Sequence, residues 1–251
     1  ASCSYPARRF GIHSAMPMSQ AVRLCPQLII VPARHGAYSA VSRQVMALLH
    51  ALTPLVEQIS IDEAFLDVSD RPEDAEQVAR ELQARIRSEL HLPCSLGVAS
   101  NKLVAKIANN EGKAQARGEG PPNAIKVVAP GQEAAFLDPL PCDALWGVGP
   151  KTAERLRELG METIGDIVRW PEADLFRRFG KNGYDFARHA RGLDDRPIVT
   201  EHERKSVSQE TTFERDVSDG EALRRTLRQQ AGDVSRVLKT KRLAGATVKL
   251  K

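Results

Sequence analysis

The first regular pattern of apolar residues is helical: in residues 40–52 (AVSRQVMALLHAL) they recur every three or four positions. Residues 56–68 (VEQISIDEAFLDV) instead carry two short apolar runs on either side of Asp62 and Glu63. That pattern predicts two strands joined by a tight connection at the two acids. The beginning of the chain therefore predicts a helix followed by a β-hairpin.

The next patterns extend this series. The chain predicts an amphipathic helix at 73–89 started by Pro72, a buried strand at 94–100, a helix at 101–110 capped by Ser100 or Asn101, and a strand at 124–128. Helix, hairpin, helix and strand in this order predict a ferredoxin-like α+β sheet with its helices on one face. The polar, Gly- and Pro-rich segment 112–123 between them is expected to be a flexible loop.

Short helices follow from Pro139 onward. Residues 140–167 contain a glycine turn at Gly147 and Gly149, a helix start at Pro150 and a second glycine stop at Gly160. After a polar linker around 197–205, three more elements are expected: a strand at 206–215 (SVSQETTFER), a long basic helix at 220–242 and the start of a strand in ATVKLK. Two or three small modules therefore follow the sheet domain.

Charge is distributed unevenly. Residues 1–138 carry 14 basic and 14 acidic side chains, whereas residues 139–251 carry 22 and 18. Within residues 223–242, seven basic side chains face the single acid Asp233. Such a segment is either a solvated helix face or a surface for a polyanion.

The remaining composition limits the possible chemistry. The four cysteines form no C-x-x-C pair and the histidines no metal-binding arrangement, so any metal chemistry is expected from carboxylates in a reduced, cytoplasmic protein. No apolar run approaches the ~20 residues that span a bilayer, so we expect no membrane association.

Asp62 and Glu63 are the first candidates for catalysis. Adjacent acids between apolar strand residues are costly to bury unless their charge is compensated. Taken alone, they are either a solvated hairpin turn or a Mg²⁺ site, since hard divalent ions prefer carboxylate oxygens. Asp67 lies one strand further along and is a weaker candidate.

Two further segments could bind phosphates. Tyr5 and Arg8 are three residues apart, so on a helix they would share a face and could grip a triphosphate. Gly147 and Gly149 precede Pro150 and Lys151, and such a turn lets the backbone approach a phosphate at a helix N-terminus. This turn is typical of a helix-hairpin-helix module, which holds the DNA backbone without reading sequence.

Together these segments resemble the Y-family DNA polymerases, and most closely the DNA polymerase IV (DinB-type) branch. The matching stretches occur in the family's order and cover nearly the whole chain: SYPARRFGIHSAMPMSQA (4–21), SIDEAFLDVS (60–69), GVASNKLVAKIA (97–108), LWGVGPKTAERLRELGMETIGDI (145–167) and KSVSQETTFERD (205–216). The resemblance implies partial fingers at 1–34, a palm at 35–136, a helix-hairpin-helix thumb at 137–200 and a partial α/β little finger at 201–251.

The resemblance also implies roles for individual residues. Asp62 would ligate Mg²⁺ and Glu63 would complete the catalytic carboxylates, with two ions in the complete enzyme. The residues that match nucleotide-binding positions of the family are Tyr5, Arg8, Ala15 and Lys113. The residues assigned to DNA binding are Gly147, Gly149, Lys151, Lys205 and Ser206. The implied reaction is low-fidelity, template-dependent addition of deoxynucleotides to a primer 3′-hydroxyl, opposite damaged templates.

Some features depart from the family pattern. The family's first metal-binding Asp has no match in this chain, so we expect a fragment that cannot polymerise alone. Pro6 stands where a Glu is usual and should be tolerated in the first helical turn. The loop after Lys113 is longer than the family's turn, which leaves the match of Lys113 open.

The expected partners are primer-template DNA, deoxynucleoside triphosphates and, for the full-length protein, a sliding clamp, with the chain itself a monomer. Two alternative classes are a palm-type nucleotide cyclase, which lacks a helix-hairpin-helix module, and a non-catalytic helix-hairpin-helix DNA-binding protein.

Overall fold

The computed structural model describes residues 2–116, 120–201 and 203–250. The chain divides into two compact units, Ala1–Thr200 and Glu201–Lys251, which are described separately. Among the described residues, no helix combines the length and the apolar character that crossing a bilayer requires.

The first unit combines helices with short strands. Its α-helices are α1 (Tyr5–Arg8), α2 (Met18–Leu24), α3 (His35–Leu52), α4 (Ala75–Leu90), α5 (Lys102–Gln115), α6 (Glu133–Leu137), α7 (Pro150–Glu158), α8 (Ile164–Arg169), α9 (Glu172–Phe179) and α10 (Lys181–Ala190), with a 3-10 turn at Cys142–Ala144. Its strands are β1 (Val56–Gln58), β2 (Ala64–Leu66), β3 (Leu96–Val98) and β4 (Ile125–Val127). The mixed α+β class expected from the sequence is confirmed.

The strands form two separate pairs. β1 and β2 are the antiparallel arms of the predicted hairpin, with Glu57 opposite Phe65. β3 and β4 run parallel, with Gly97 opposite Lys126. The order of elements predicted one continuous sheet, but in the described part of the chain the two pairs share no hydrogen-bonded strand neighbours.

Helices α4 and α5 begin at side-chain caps. Asp74 accepts hydrogen bonds from the first N–H groups of α4, so the cap is Asp74 and not the predicted Pro72. Asn101 caps α5 by accepting from the Val104 N–H at 3.0 Å. Helix α5 continues to Gln115, well beyond the predicted end at 110, because Gly112 lets it pass close to β4. The predicted loop at 112–123 is therefore partly helix, and its residues 117–119 lie outside the described part.

Three apolar clusters stabilise the first unit. The largest joins α5 to the helices that follow residue 139, around Leu103, Ile107, Leu156, Ile164 and Leu175. A second lies between α3, α4 and the strands, and a small third one lies beneath the N-terminal helices. Because α5 also borders both strand pairs, it connects the strands to the helical module.

The second unit contains one long helix, α11 (Gly220–Lys241), which starts at the Asp219 cap as the basic pattern predicted. No residue of α11 is buried, so its basic side chains are open to solvent. The strands predicted at 206–215 and in ATVKLK are wrong: the described residues there form no strand. Alternation of apolar residues makes a strand only where a neighbouring strand accepts its backbone hydrogen bonds, and these segments have no such neighbour among the described residues.

Candidate functional site

The two acids lie in the tight connection between β1 and β2. The N–H groups of Ile59 and Ser60 donate to the Glu63 carbonyl at 2.9 and 3.2 Å, which closes the turn. The Ser60 hydroxyl donates to Asp62 Oδ1 at 2.7 Å and accepts from the Asp62 N–H at 3.2 Å. The exposed Asp62 carboxylate is therefore oriented by its own turn.

Glu63 is held from outside the hairpin. Lys106 Nζ donates to Glu63 Oε1 in an ion pair whose lysine is mostly buried. Sequence reasoning had not singled out Lys106. Its spacing of four from Lys102 places the two lysines on the same side of α5, and that periodicity was the only signal for it.

Lys102 makes the equivalent contact one turn earlier. Its Nζ lies 2.7 Å from Glu57 Oε2 and 2.7 Å from the Pro197 carbonyl oxygen. The same Glu57 oxygen accepts from the Val199 N–H at 2.9 Å. Helix α5 therefore holds the hairpin through two lysine–glutamate pairs. The Lys102–Glu57 pair also anchors the segment around Pro197.

The start of α5 is fixed by a second acid. Asp194 accepts a hydrogen bond from the Leu103 N–H at 3.1 Å and two from the Arg196 guanidinium, at 2.6 and 2.8 Å. Burial by itself would raise the pKa of Asp194, but the hydrogen bonds from Arg196 and Leu103 lower it below its ordinary value. Asp194 is therefore a structural carboxylate that stays charged near neutral pH.

Asp67 is used differently from Asp62 and Glu63. Its side chain accepts from the Ser69 N–H at 2.9 Å, and hydrogen bonds from Ser69 lower its pKa. It lies beyond β2, at the other end of the strand from the turn. This supports the lower rank given to Asp67 as a metal ligand.

One cavity of about 710 Å³ brings several of the predicted residues together. Tyr5, Asp62, Glu63 and Lys113 all line it, as does Lys106. A phosphate-bearing ligand there would meet hydroxyl, ammonium and carboxylate groups from three separate parts of the sequence. The cavity therefore unites the predicted acid pair with two of the predicted nucleotide-binding residues.

The other two nucleotide-binding candidates are not part of the cavity wall. Arg8 lies on α1 with its guanidinium carbon 4.8 Å from the centre of the Tyr5 ring, so the predicted shared helix face exists. Pro6 occupies the first turn of α1, as expected. Ala15 is exposed and has a φ of 67°, a left-handed conformation that is uncommon for a residue with a Cβ.

The hairpin acids offer the oxygen ligands that magnesium prefers. Mg²⁺ is commonly held by one or two carboxylates together with substrate phosphates, and an exposed Asp62 beside Glu63 fits that pattern. Within the residues that the structure describes, no group of three or more metal-ligating side chains is present. Asp62 and Glu63 could therefore hold an ion whose remaining positions are filled by other ligands.

The glycine turn before α7 has the backbone geometry of a phosphate-binding hairpin. Gly147 has a φ of 101°, which only glycine adopts readily, and Gly149 is the residue before Pro150 at the first helical position. Lys151 is exposed in the first turn of α7. The turn therefore exposes the backbone of Gly147 and Gly149 and the cation of Lys151 to solvent.

The last two predicted DNA-binding residues, Lys205 and Ser206, lie in the second unit. Both are exposed in a stretch that has no regular secondary structure. Within that unit the basic helix α11 supplies the largest group of cations.

Comparison with known proteins decides the family. Residues 1–110 match the impB/mucB/samB family, residues 130–161 match the IMS family HHH motif and residues 204–251 match the impB/mucB/samB family C-terminal domain. The whole chain is 42% identical over 254 residues to a DNA polymerase IV of Listeria monocytogenes serotype 4b, covering 69% of that protein. The chain belongs to the Y-family DNA polymerases.

Further relatives place it in the DinB-type branch. A DNA polymerase IV of Ralstonia nicotianae is 44% identical over 220 residues, which are 86% of this chain and 59% of that protein. The crystal structure of DinB from Sulfolobus solfataricus superposes with a TM-score of 0.70 at 32% identity, covering 77% of this chain and 56% of the other. A Y-family chimera, Dbh-Dpo4(243-245)-Dbh, gives a TM-score of 0.78 at 28% identity, covering 92% and 66%.

These comparisons support the enzyme class, a DNA-directed DNA polymerase, over a nucleotide cyclase or a non-catalytic DNA-binding protein. The chain spans about two thirds of the length of its Listeria relative and little more than half of the DinB structure. The division into fingers, palm, thumb and little finger at residues 34, 136 and 200 stays a prediction.

Proposed function

We propose that this chain carries the metal-binding hairpin, part of the nucleotide site and the DNA-backbone module of a translesion DNA polymerase. The observation that carries the proposal is the single cavity in which Asp62, Glu63, Tyr5 and Lys113 meet. The substrates are primer-template DNA and deoxynucleoside triphosphates, and the reaction is transfer of a nucleotidyl group to the primer 3′-hydroxyl.

The acidic side chains bind the metal, and the basic side chains and the tyrosine bind the triphosphate. Asp62 and Glu63 hold Mg²⁺, two ions being expected in the complete enzyme, and bound magnesium lowers the pKa of the attacking hydroxyl and stabilises the charge of the transition state. The triphosphate is oriented by Tyr5, by Arg8 on the same face of α1, and by Lys113. Lys106 pairs with Glu63 in the absence of metal, so its ammonium competes with a bound ion for that carboxylate. Positioning and electrostatics supply most of the acceleration in phosphoryl transfer.

The helix-hairpin-helix turn holds the DNA backbone. Gly149 and Lys151 are exposed at the start of α7, so their backbone N–H groups and the Lys151 ammonium can bind a phosphate without base contacts. Lys205 and Ser206 of the second unit contact the backbone elsewhere along the duplex. Ala15 leaves space above the nascent base pair, which suits a damaged template. The full-length protein acts in the cytoplasm with a sliding clamp.

Metal binding tests the hairpin directly. Titration with Mn²⁺, followed by electron paramagnetic resonance, is expected to show a site that Asp62→Asn and Glu63→Gln each weaken at least about tenfold, because each removes one hard ligand. Asp67→Asn is the matched control, since Asp67 is engaged by Ser69. Equal binding by the Asp62 variant and the wild type would refute the metal site.

Primer extension tests the reaction itself. No group of three or more metal-ligating side chains is present in the part of the chain that the structure describes, so we expect the chain alone to extend no primer. In the full-length protein, Asp62→Asn should abolish extension while leaving DNA binding intact. Extension by the isolated chain would contradict the proposal that it holds only part of the metal site.

DNA binding tests the glycine turn. Lys151→Ala should weaken binding of duplex DNA similarly for all sequences and reduce the slope of log K against log salt by about 1. Lys181→Ala is the control, an exposed lysine at the start of α10, outside the turn. An unchanged salt slope in the Lys151 variant would remove this residue from the interface.

A further inference from the structure

Ser42 on α3 is a buried polar side chain with no role in the site described so far. It is 8% exposed and lies one turn before Val45 and Met46, which belong to the apolar cluster between α3, α4 and the strands. A hydroxyl in such a place is costly to bury unless it is hydrogen-bonded. The bonds that Ser42 makes therefore explain why a serine stands on the core side of this helix.

The Ser42 hydroxyl bonds to the turn that carries the two acids. Ser42 Oγ donates to the Ile61 carbonyl oxygen at 2.5 Å, between residues 19 positions apart in the chain. A serine inside a helix often bonds instead to a carbonyl of its own helix, one turn earlier. Because Ile61 directly precedes Asp62, the bond holds the backbone at the point where the Asp62 side chain begins.

The peptide bond transmits this constraint to Asp62. A peptide unit is planar, so a fixed Ile61 carbonyl also fixes the direction of the Asp62 N–H. That N–H donates to Ser60 Oγ at 3.2 Å, and the Ser60 hydroxyl donates in turn to Asp62 Oδ1 at 2.7 Å. A continuous series of bonds therefore connects α3 to one oxygen of the Asp62 carboxylate.

Gln58 on β1 supports the same series. Its Nε2 atom donates to the Ser60 carbonyl at 2.9 Å and to Ser42 Oγ at 3.5 Å. A serine hydroxyl can donate one hydrogen bond and also accept, and Ser42 does both. Two successive carbonyl groups of the turn, those of Ser60 and Ile61, are therefore held by side chains.

Packing contributes little to the tip of this turn. Ile59 and Ile61 are apolar but 44% and 46% exposed, so the turn buries little of its own surface. Lys106 holds Glu63 from α5. The orientation of Asp62 therefore depends on the hydrogen bonds within the turn and on the bond from Ser42.

These bonds leave one carboxylate oxygen of Asp62 for an ion. Oδ1 is taken by the Ser60 hydroxyl, whereas Oδ2 accepts no hydrogen bond from the residues that the structure describes. Mg²⁺ demands near-ideal octahedral geometry, so the direction in which a ligand oxygen points affects binding. Residues that orient a metal ligand typically change metal affinity by about 10–100-fold when they are replaced.

We propose that Ser42 is a positioning residue of the metal site. Through the Ile61 carbonyl and the Ser60 hydroxyl, it orients Asp62 so that Oδ2 is presented to the ion. Ser42 acts only through these groups, from the core side of α3. This inference rests on the proposed metal site at Asp62 and Glu63.

Mn²⁺ titration of the chain, followed by electron paramagnetic resonance, tests the hydroxyl. Valine and threonine have nearly the same shape, and only threonine carries a hydroxyl, so Ser42→Val and Ser42→Thr share any packing cost. Ser42→Val should weaken binding by about three- to tenfold and Ser42→Thr by less than about twofold, because the ligand remains but only threonine can still orient it. Ser42→Ala, which adds no bulk, should behave as Ser42→Val.

Ser39→Ala is the matched control for these variants. Ser39 lies on α3 one turn before Ser42, and its side chain makes no hydrogen bond among the described residues. Its replacement should leave Mn²⁺ binding unchanged.

A double variant tests whether Ser42 acts through Ser60. Ser60→Ala removes the last donor to Asp62 Oδ1. In that background, Ser42→Val should weaken Mn²⁺ binding by less than about twofold, because two members of one hydrogen-bond network are not additive.

Hydrogen exchange of the metal-free chain separates positioning from general stability. The Asp62 amide should exchange at least about tenfold faster in Ser42→Val than in Ser42→Thr, because the turn opens more readily without the hydroxyl. The Asp67 amide, which bonds to the Leu55 carbonyl at the other end of the hairpin, should exchange equally in both.

The outcomes distinguish the two levels of the argument. If Asp62→Asn weakens Mn²⁺ binding but Ser42→Val binds as Ser42→Thr does, Ser42 has no positioning role and the metal site stands. If Asp62→Asn binds as the wild type does, the metal site is refuted and the role of Ser42 with it. Equal acceleration of the Asp62 and Asp67 amides, or additive effects of the Ser42 and Ser60 variants, would also overturn the inference.

Discussion

Replacement of Lys102 by methionine is expected to be strongly destabilising. The Lys102 ammonium lies 2.7 Å from Glu57 Oε2, and the two side chains are only 10% and 12% exposed. Methionine keeps most of the volume of the side chain but removes the positive charge. The Glu57 carboxylate then stays buried with its ammonium gone, and the Pro197 carbonyl loses its donor.

The expected loss follows from this burial. Removing one partner of a buried ion pair costs about 3–5 kcal/mol, since the remaining charge loses its nearest counter-charge in a poorly solvated place. For a domain of this size, 1 kcal/mol shifts the melting temperature by roughly 2–4 °C, so Lys102→Met should lower it by roughly 6–20 °C. Calorimetry and urea unfolding, followed by a signal from the first unit, measure both quantities.

An exposed pair provides the control. Arg80 and Glu76 form an i,i+4 pair on α4 with 65% and 39% exposed side chains. Such pairs contribute about 0.3–0.5 kcal/mol, so Arg80→Met should change the melting temperature by less than about 2 °C.

A double variant separates the charge from the packing. Glu57→Leu/Lys102→Met replaces the whole pair by apolar side chains, which is often neutral relative to the intact pair. It should therefore be more stable than Lys102→Met alone. If Lys102→Met melts within about 2 °C of the wild type, or if the double variant is no more stable than the single one, the pair does not anchor the hairpin to α5.

Three further predictions concern residues around the same helix. Gly97→Ala should cost about 3 kcal/mol or more in urea unfolding, because the new Cβ would lie 1.9 Å from a backbone oxygen of α5, while Gly36→Ala, with open space around it, should be nearly neutral. The pKa of Asp194 is depressed in the folded state, so its contribution to stability is complete above its unfolded pKa of about 3.9 and falls as pH drops through the lower folded value. Urea unfolding from about pH 5 downward should show a smaller loss for Asp194→Asn than for the wild type, and parallel pH profiles would contradict this. Lys106→Met should tighten Mn²⁺ binding up to about fivefold by removing the cation that competes for Glu63, whereas weaker binding would mean that the lysine is needed to hold Glu63 in place.

Local patterns predicted the elements that depend on neighbouring residues. The apolar runs around Asp62 and Glu63 predicted the hairpin, and Gly147 and Pro150 predicted the turn and the start of α7, all of which the structure contains. Each of these depends on backbone preferences and side-chain alternation over a few residues, and such preferences are written in the sequence. The ordered set of motifs also predicted the family.

Patterns failed where a distant partner decides the outcome. Residues 206–215 alternate as a strand does, but without a neighbouring strand among the described residues they form none. The end of α5 was placed too early because the polar, Gly- and Pro-rich composition of residues 112–123 predicted a loop. The lack of a Cβ at Gly112 instead allows helix and strand to pack closely.

The sequence by itself determined the hairpin acids, the glycine turn and the family, because each is carried by residues close together in the chain. Only the tertiary structure decided that Lys102 pairs with Glu57 and Lys106 with Glu63, across 45 and 43 residues. Helical periodicity shows that these lysines share one side of α5, but not which strand that side meets. The charge balance of the site depends on this contact between α5 and the β1–β2 hairpin, so only the folded chain shows it.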